Sequence, residues 1–363
     1  MWVSSLLTSS AASLGRVVLV GFIPNAIPAI FVVLLVRAQS FSGPSRFTGL
    51  LGDLRPDALS VLLFVLAVAL LSILVQPFQL RVLRVLEGYW DSWALTARIA
   101  PIFVEFQRRR REKLVQILEE NPPARPAGSL TELLRHHRDR ARFDSRRRRA
   151  GRRLGRYPAP LVTGSGHVTE IPLLPTGLGN TLKAGETSAG ERYGLDTLSS
   201  WPRLYPFFPP AFAEGQASAR DALDAAANLC VNFFVVTVLG VVALHDEPAH
   251  YWIIALAAAL CCLSYVGAVA TAADYNVLIQ TAYDLYRFEL LKNGRYPLPK
   301  DPAEELATFT RLSKLYTADP WREGGARALT SRVMAGTGYD DNDDDSETDG
   351  VIAAIRRRFR RNP

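Results

Sequence analysis

The stretch ALSVLLFVLAVALLSILVQ (58–76) decides the fold, because it contains no charged residue over a length that matches a lipid bilayer. A helix needs about 20 apolar residues to cross the hydrocarbon core, where its backbone N–H and C=O groups must be satisfied internally. The run is followed by Pro77, which has no backbone N–H to donate. We therefore predict a transmembrane helix over 58–76.

Three further uncharged blocks of similar length occur in the chain. They cover about 17–36, 226–244 and 251–270, and the last two are separated only by residues 245–250. The first block is too long for the apolar core of a signal peptide, and no small-residue cleavage site follows it, so we expect a retained anchor. With the run at 58–76, these blocks predict about four spans arranged as two hairpins.

Composition also favours a membrane protein over a set of soluble domains. The chain is 48% hydrophobic and 21% charged, and the two types are segregated into apolar blocks and arginine-rich blocks. The predicted fold class is an all-α membrane protein. Its cytoplasmic region is expected to be mostly helical, with one irregular insert rich in Gly, Pro and aromatic residues.

The positions of Lys and Arg predict the orientation in the membrane. Arg81 and Arg84 follow the second block directly, and about two dozen Lys and Arg residues lie in 78–225. Since positive charges near the ends of spans stay in the cytoplasm, this segment is predicted to be cytoplasmic. An even number of spans then places both termini in the cytoplasm as well, with the chain in the plasma membrane as a multi-pass protein.

The domain prediction follows from these assignments. In order, we predict a first transmembrane hairpin over 1–77, a basic cytoplasmic region over 78–225, a second transmembrane hairpin over 226–270, cytoplasmic helices over 271–323, and a disordered charged tail over 324–363. Within the basic region, we predict an amphipathic helix over 78–120, an Arg-rich segment over 130–156 and an irregular insert over 157–212.

Two runs of four arginines are the candidate binding residues for a partner or for lipid. They are Arg108, Arg109, Arg110 and Arg111, and Arg146, Arg147, Arg148 and Arg149. Guanidinium groups pair with carboxylates and phosphates, so an acidic protein or anionic lipid is the predicted partner. Nucleic acid is not expected, because aromatic residues do not interleave the arginines and no nucleic-acid-binding module is present. A solvated basic helix without a partner is the alternative.

Two polar stripes at helical spacing flank the third and fourth blocks. Their members are Asp221, Asp224, Asn228 and Asn232 on one side, and Asn276, Gln280 and Asp284 on the other, with Asp274 near the end of the fourth block. Polar residues that enter a bilayer face a neighbouring helix or a water-filled cavity. The stripes therefore predict either helix packing or a polar path.

No pattern predicts a catalytic, cofactor or metal site. Three cysteines, Cys230, Cys261 and Cys262, fall inside apolar blocks without metal-ligand spacing. The glycines at 177 and 179 match no phosphate-binding loop. If the chain were a membrane enzyme acting on lipid or cell-envelope intermediates, its first candidate catalytic residues would be His167, Glu186, Glu191 and Asp196. No catalytic spacing links these four residues.

Several short motifs are distinctive. QPFQ (76–79) precedes LEGYW (86–90), and PTGLGN (175–180) precedes ERYGLD (191–196) and WPRL (201–204). Together these motifs resemble a group of uncharacterised bacterial multi-pass membrane proteins, over a stretch from about the second span to the third. The resemblance implies a bacterial membrane location and no particular activity or site residue.

The favoured function is a non-enzymatic membrane anchor or docking scaffold. Its basic cytoplasmic region would bind an acidic protein partner or hold anionic lipid. The alternative is an oligomeric channel or transport component whose third and fourth spans line a path, which leaves a homo-oligomer open. A membrane enzyme is the third hypothesis.

Overall fold

The structure is a computed structural model that describes residues 17–41, 58–90, 94–124, 130–162 and 168–317. Within these residues the fold is all-α, as predicted, apart from one pair of two-residue strands. In chain order the elements are a π-helical turn Val17–Phe22, α1 Ile23–Arg37, α2 Ala58–Glu87, α3 Ala94–Glu119, α4 Leu130–Leu154, β1 Leu161–Val162, β2 Val168–Thr169, α5 Gly177–Ser188, α6 Thr197–Leu204, α7 Pro210–Leu244, α8 Tyr251–Asn293 and α9 Pro302–Thr317. Short 3-10 turns cover Glu191–Tyr193, Tyr205–Phe207 and Pro248–His250.

Four of these helices, α1, α2, α7 and α8, are long and apolar enough to cross a membrane. In α2 only 6% of the window Ala58–Val75 is buried, and aliphatic side chains such as Leu62 and Leu66 remain 63% exposed. Removing each such side chain from water contributes roughly 1.5–3 kcal/mol, so a row of them is stable only in hydrocarbon. The chain is therefore a multi-pass membrane protein.

Helix α2 continues beyond the predicted end of the second span. The prediction of a break at Pro77, followed by a single amphipathic helix over 78–120, is wrong: α2 runs unbroken to Glu87, and α3 begins at Ala94. A proline inside a membrane helix removes one backbone hydrogen bond without ending the helix. The helix ends instead at Gly88, whose φ of 94° lies in the left-handed region that glycine adopts without strain.

The segment 157–212, predicted as an irregular insert, includes short helical elements among its described residues. It contains α5 and α6, together with an antiparallel strand pair in which Leu161 faces Thr169. These helices have 12 and 8 residues, too few for a hydrophobic period to show among so many glycines and prolines. Local caps define them instead, as where the Asp196 carboxylate accepts a hydrogen bond from the N–H of Ser199 at the start of α6.

The third and fourth spanning helices are much longer than their apolar blocks. Helix α7 has 35 residues and α8 has 43, so the predicted spans at 226–244 and 251–270 are parts of longer helices. Within the segment 271–323, where helices are predicted, α8 continues to Asn293 and α9 covers Pro302–Thr317. The predicted disordered tail, 324–363, lies outside the described residues.

The chain divides into two compact units, and each is described by itself. The first comprises the described residues within 17–159, 170–185 and 211–279. Its apolar core joins Phe31 and Leu35 of α1 to residues of α7 and α8, namely Val236, Ala243, Leu244 and Ala257. The second comprises those within 160–169, 186–210 and 280–317, and its largest fully buried side chains are Tyr283 and Phe309.

Candidate functional site

The two basic helices α3 and α4 pack against each other in antiparallel order. Arg146 of α4 forms an ion pair with Glu120 at the end of α3, at 3.4 Å. Farther along, the Tyr157 hydroxyl donates a hydrogen bond to Oε1 of Gln107 at 2.9 Å. Because these contacts run in opposite directions along the two helices, only the second half of α4 lies beside α3.

The first half of α4 therefore projects past the end of α3. Of its residues 130–142, every side chain whose burial is described is exposed, except the half-buried His136. We call the segment 130–142 the projecting arm. It carries four arginines that the sequence prediction did not single out: Arg135, Arg138, Arg140 and Arg142. Ion pairs with Asp144 and Asp139 at 3.8 and 3.9 Å support its helix along one side.

The two predicted arginine runs lie on different helices and have different surroundings. Arg108 and Arg109 of α3 both reach Glu105, at 3.7 and 2.9 Å. Arg146, whose side chain is also exposed, pairs with Glu120, and Arg147, Arg148 and Arg149 are exposed at the base of the projecting arm. The second run therefore extends the basic surface of the arm.

A short chain of hydrogen bonds fixes α3 to the rest of the first unit. The Gln107 side chain, 7% exposed, accepts from Tyr157 and donates to the carbonyl oxygen of Pro175 at 3.4 Å. Burial raises the pKa of Tyr157 above its ordinary value, so its hydroxyl keeps the proton that it donates. The basic helices are thus attached through Pro175 to the start of α5.

The motifs LEGYW and PTGLGN meet in the structure. The Thr176 hydroxyl donates to the carbonyl oxygen of Glu87, at the end of α2, at 2.8 Å. Gly179 lies so close to this carbonyl that a Cβ there would collide with it. The Asn180 side chain closes the turn by bonding both the N–H and the carbonyl of Leu174, at 2.9 and 2.7 Å. The glycines of PTGLGN therefore serve close helix packing in the described contacts.

Helix α5 then packs along α8 through small residues spaced four apart, Gly177, Thr181 and Gly185. The Tyr265 hydroxyl accepts hydrogen bonds from the N–H groups of Gly177 and Leu178, at 3.0 and 3.2 Å, and so satisfies two donors at the helix start. One turn later the Asn276 amide donates to the carbonyl oxygen of Thr181. Sequence reasoning missed this contact, although the spacing Gly-x-x-x-Thr-x-x-x-Gly is typical of close helix packing in membranes.

The polar stripe on α7 is used for contacts with the first span. The Asn232 side-chain amide donates to Oδ1 of Asn25 at 3.3 Å, and that of Asn25 donates to Oγ of Ser72 at 3.2 Å. Asn228 donates to the carbonyl oxygen of Val20 at 2.9 Å. These bonds join α1, α2 and α7. Farther along the same stripe, Asp224 lies 3.7 Å from Arg220 and Asp221 is half-buried.

The polar stripe on α8 contacts a different part of the chain. Asn276 reaches Thr181, and in the second unit Gln280 donates to Oγ of Ser188 at 2.6 Å. Asp284 accepts from the Tyr193 hydroxyl at 2.7 Å, and Asp274 is exposed. The two stripes thus hold different segments, the first span on one side and residues 181–193 on the other.

A charged cluster lies in the second unit, around the ERYG turn. Arg192 forms an ion pair with Asp284, and Arg287 pairs with Glu305 at 2.8 Å, with both of these side chains mostly buried. The Arg287 guanidinium also stacks 4.1 Å from the ring centre of Tyr193. Burial, and next the hydrogen bond to Asp284, raise the pKa of Tyr193. Two cations balance two carboxylates, so the cluster joins the turn to α8 and α9.

The remaining candidates concern a metal site or an enzyme. The residues that the structure describes contain no group of three or more His, Cys, Asp or Glu side chains that could hold a metal. Asp196 is engaged as the cap of α6, and His167 lies outside the described residues. The sulfur atoms of Cys230 and Cys261 lie 3.8 Å apart, between α7 and α8, as free thiols.

Comparisons of the chain with protein-family models, with curated proteins and with solved structures found no match. The function proposed below therefore rests on the geometry of the helices and on the chemistry of their exposed side chains.

Proposed function

We propose that this chain is a docking protein of a bacterial plasma membrane, which holds a basic helical arm at the cytoplasmic surface for an acidic protein partner. The observation that carries the proposal is the projecting arm at 130–142, continued by Arg147, Arg148 and Arg149. Helix α4 as a whole contains ten arginines against three acidic residues. A surface of this charge attracts carboxylate-rich partners and speeds their encounter.

The way the arm is mounted supports a docking role. Its base lies beside α3, where Arg146 pairs with Glu120, and the buried Gln107 holds α3 within the first unit. The arm is thus presented on a folded support rather than on a free tail, which lowers the ordering cost when a partner binds.

The surface of α4 favours protein over lipid as the partner. Leu134 is its one large apolar side chain that is strongly exposed among the described residues. A helix that lies in a lipid surface needs a wide apolar face to bury, whereas the residues of α4 over 134–149 are mostly charged. Arginine can bind carboxylates through two parallel hydrogen bonds without such a face.

The channel hypothesis has less support. A path lined by the third and fourth spans needs polar side chains that face a common space. Asn228 and Asn232 instead bond the first span and its preceding turn, while Asn276 and Gln280 bond α5. These contacts favour helix packing as the role of both stripes.

The proposal is tested with the full chain in nanodiscs of zwitterionic lipid and with fluorescent polyglutamate as the acidic probe. The variant Arg135→Gln/Arg138→Gln/Arg149→Gln should weaken binding about tenfold, since each exposed charge pair contributes roughly 0.2–1 kcal/mol. Arg146 is left intact because it pairs with Glu120. The matched variant with Lys at the same three positions keeps the charge and should bind within a few-fold of the wild type.

A photo-reactive amino acid in place of Arg138 then identifies the partner in living cells. We expect adducts with an acidic protein, and a sharp drop in these adducts when Arg147, Arg148 and Arg149 are changed to Gln. Equal polyglutamate binding by the Gln and Lys variants would contradict the proposal, as would adducts formed only with lipid.

A further inference from the structure

Helix α3 carries an exposed apolar patch although it is not one of the spanning helices. Ile102 is 68% exposed and Phe106 is 60% exposed, and Ile99 and Phe103 are each close to half exposed. The patch is therefore presented outward, whereas the residues that contact the rest of the first unit are on another side of the helix.

The spacing shows that positively charged residues follow the apolar patch along the same face of the helix. Ile99, Ile102, Phe106, Arg110 and Lys113 follow each other at intervals of three and four residues, so they form one stripe along the helix. Their described side chains are all exposed. We call these five residues the α3 stripe: its first half is apolar and its second half is cationic.

A different seam of α3 faces protein. Ala100, Gln107 and Leu114, spaced seven apart, are each less than 10% exposed. Packing along this seam fixes the rotation of α3 and leaves the α3 stripe exposed.

The start of α3 lies close in sequence to a membrane span. Six residues separate the end of α2 from Ala94. In this connection Trp90 packs edge-on against Phe103, with ring centres 5.4 Å apart. Tryptophan is enriched at membrane–water interfaces, because its ring is largely apolar while its N–H is polar.

We infer that the α3 stripe binds the anionic phospholipid surface of the protein's own membrane. The apolar half lies at the boundary between acyl chains and head groups, and Arg110 and Lys113 contact lipid phosphates. This goes beyond the proposed docking function, since it concerns a different helix and a different ligand. It also gives the base of the projecting arm a fixed height above the membrane.

The test uses the full chain in vesicles, with the fluorescent residue dansylalanine incorporated in place of Phe106. Quenching by lipids that carry a nitroxide on the acyl chain reports contact with the bilayer. The matched control carries dansylalanine in place of Glu112, an exposed residue of the same helix that lies off the α3 stripe. In vesicles with 30% phosphatidylglycerol we expect lipid quenching at 106 to exceed that at 112 by about twofold or more.

Charge dependence is measured in the same system. The variant Arg110→Gln/Lys113→Gln should lower lipid quenching at 106, and vesicles of phosphatidylcholine alone should do the same for the parent protein. If the label at 106 perturbs packing, dansylalanine in place of Ile102 gives an independent reading.

Two outcomes would overturn the inference. Equal quenching by aqueous iodide at 106 and 112 would place the stripe in water. Protection at 106 from both iodide and lipid quenchers would show that protein, such as a second copy of the chain, covers it. Neither outcome bears on polyglutamate binding by α4, so failure here is distinct from failure of the proposed function.

Discussion

Helices α5 and α4 show how differently two unusual compositions are used in one molecule. Helix α5 is rich in glycine and lies against α8, with Gly179 touching the end of α2. Helix α4 is rich in arginine and its first half projects with exposed side chains. The difference indicates that the glycines of α5 allow the close helix packing on which the fold depends. The arginines of α4 are exposed and therefore available for binding.

The largest expected effect comes from adding one methyl group at each of two glycines. Gly179→Ala places a Cβ against the Glu87 carbonyl, and we expect a loss of at least about 3 kcal/mol in the free energy of unfolding, because backbone has to move. The matched change on α4 is Gly151→Ala, where a Cβ meets nothing within 4 Å. It should stabilise the protein by roughly 0.5–1 kcal/mol.

Thermal unfolding of both variants in detergent measures this contrast. A Gly179→Ala protein that melts at the wild-type temperature would show that α5 is not packed against α2 as described.

The contact between α5 and α8 is tested by Tyr265→Phe. The change removes the acceptor for the N–H groups of Gly177 and Leu178. Leaving such donors unsatisfied should cost about 1–3 kcal/mol of unfolding free energy. The control is Tyr251→Phe, on the same helix, where the hydroxyl is exposed and donates to the His245 carbonyl. We expect its melting temperature to change little, and equal losses in the two variants would argue against the α5–α8 contact.

The amide contact within the membrane predicts a smaller, pairwise effect. A double-mutant cycle with Asn25→Leu and Asn232→Leu should give a coupling of roughly 0.6–1.7 kcal/mol, because each side chain loses its partner in the other. A second cycle that pairs Asn25→Leu with Asn228→Leu serves as the control. Couplings that are indistinguishable between the two cycles would contradict the assignment of the α7 stripe to specific helix contacts.

The smallest expected effect concerns pH and the charged cluster of the second unit. The folded pKa of Tyr193 is raised above 10.0, so its contribution to stability is fully present below about pH 10 and is lost as pH rises through the raised value. Tyrosinate absorbance is measured against pH for the wild type and for Tyr193→Phe. The difference between the two curves should show one phenol that ionises above pH 10. A difference spectrum with a midpoint at or below pH 10 would contradict the hydrogen bond between Tyr193 and Asp284.

How much of this fold was predictable from sequence depended on the length of each element. The four spanning helices were predictable, because an uncharged run such as 58–76 requires no tertiary information. Helix α5 was not, because twelve residues with three glycines look like a loop until the spacing of Gly177, Thr181 and Gly185 is read as a packing face. The end of α2 was predicted too early, at Pro77, because a membrane helix accommodates a proline. Gly88, with its positive φ, ends the helix instead.

The candidate binding surface was only partly predictable, for a related reason. The two runs of four arginines are plain in the sequence, but their exposure depends on where α3 ends beside α4. The pairing of Arg146 with Glu120 marks where the end of α3 lies beside α4, so residues 130–142 project beyond it. Arg135 and Arg138 lie within mixed sequence, so without that geometry they could not be distinguished from an ordinary solvated helix.

The most direct test of the account is the side of the membrane on which α4 lies. Single cysteines replace Arg148, at the base of the projecting arm, and Asp246, in the exposed connection between α7 and α8. The wild type, whose three cysteines lie in those two spanning helices, gives the baseline. With a membrane-impermeant maleimide we predict labelling of the Asp246→Cys protein in intact cells, and of the Arg148→Cys protein only after lysis. Labelling of Arg148→Cys in intact cells would contradict the account.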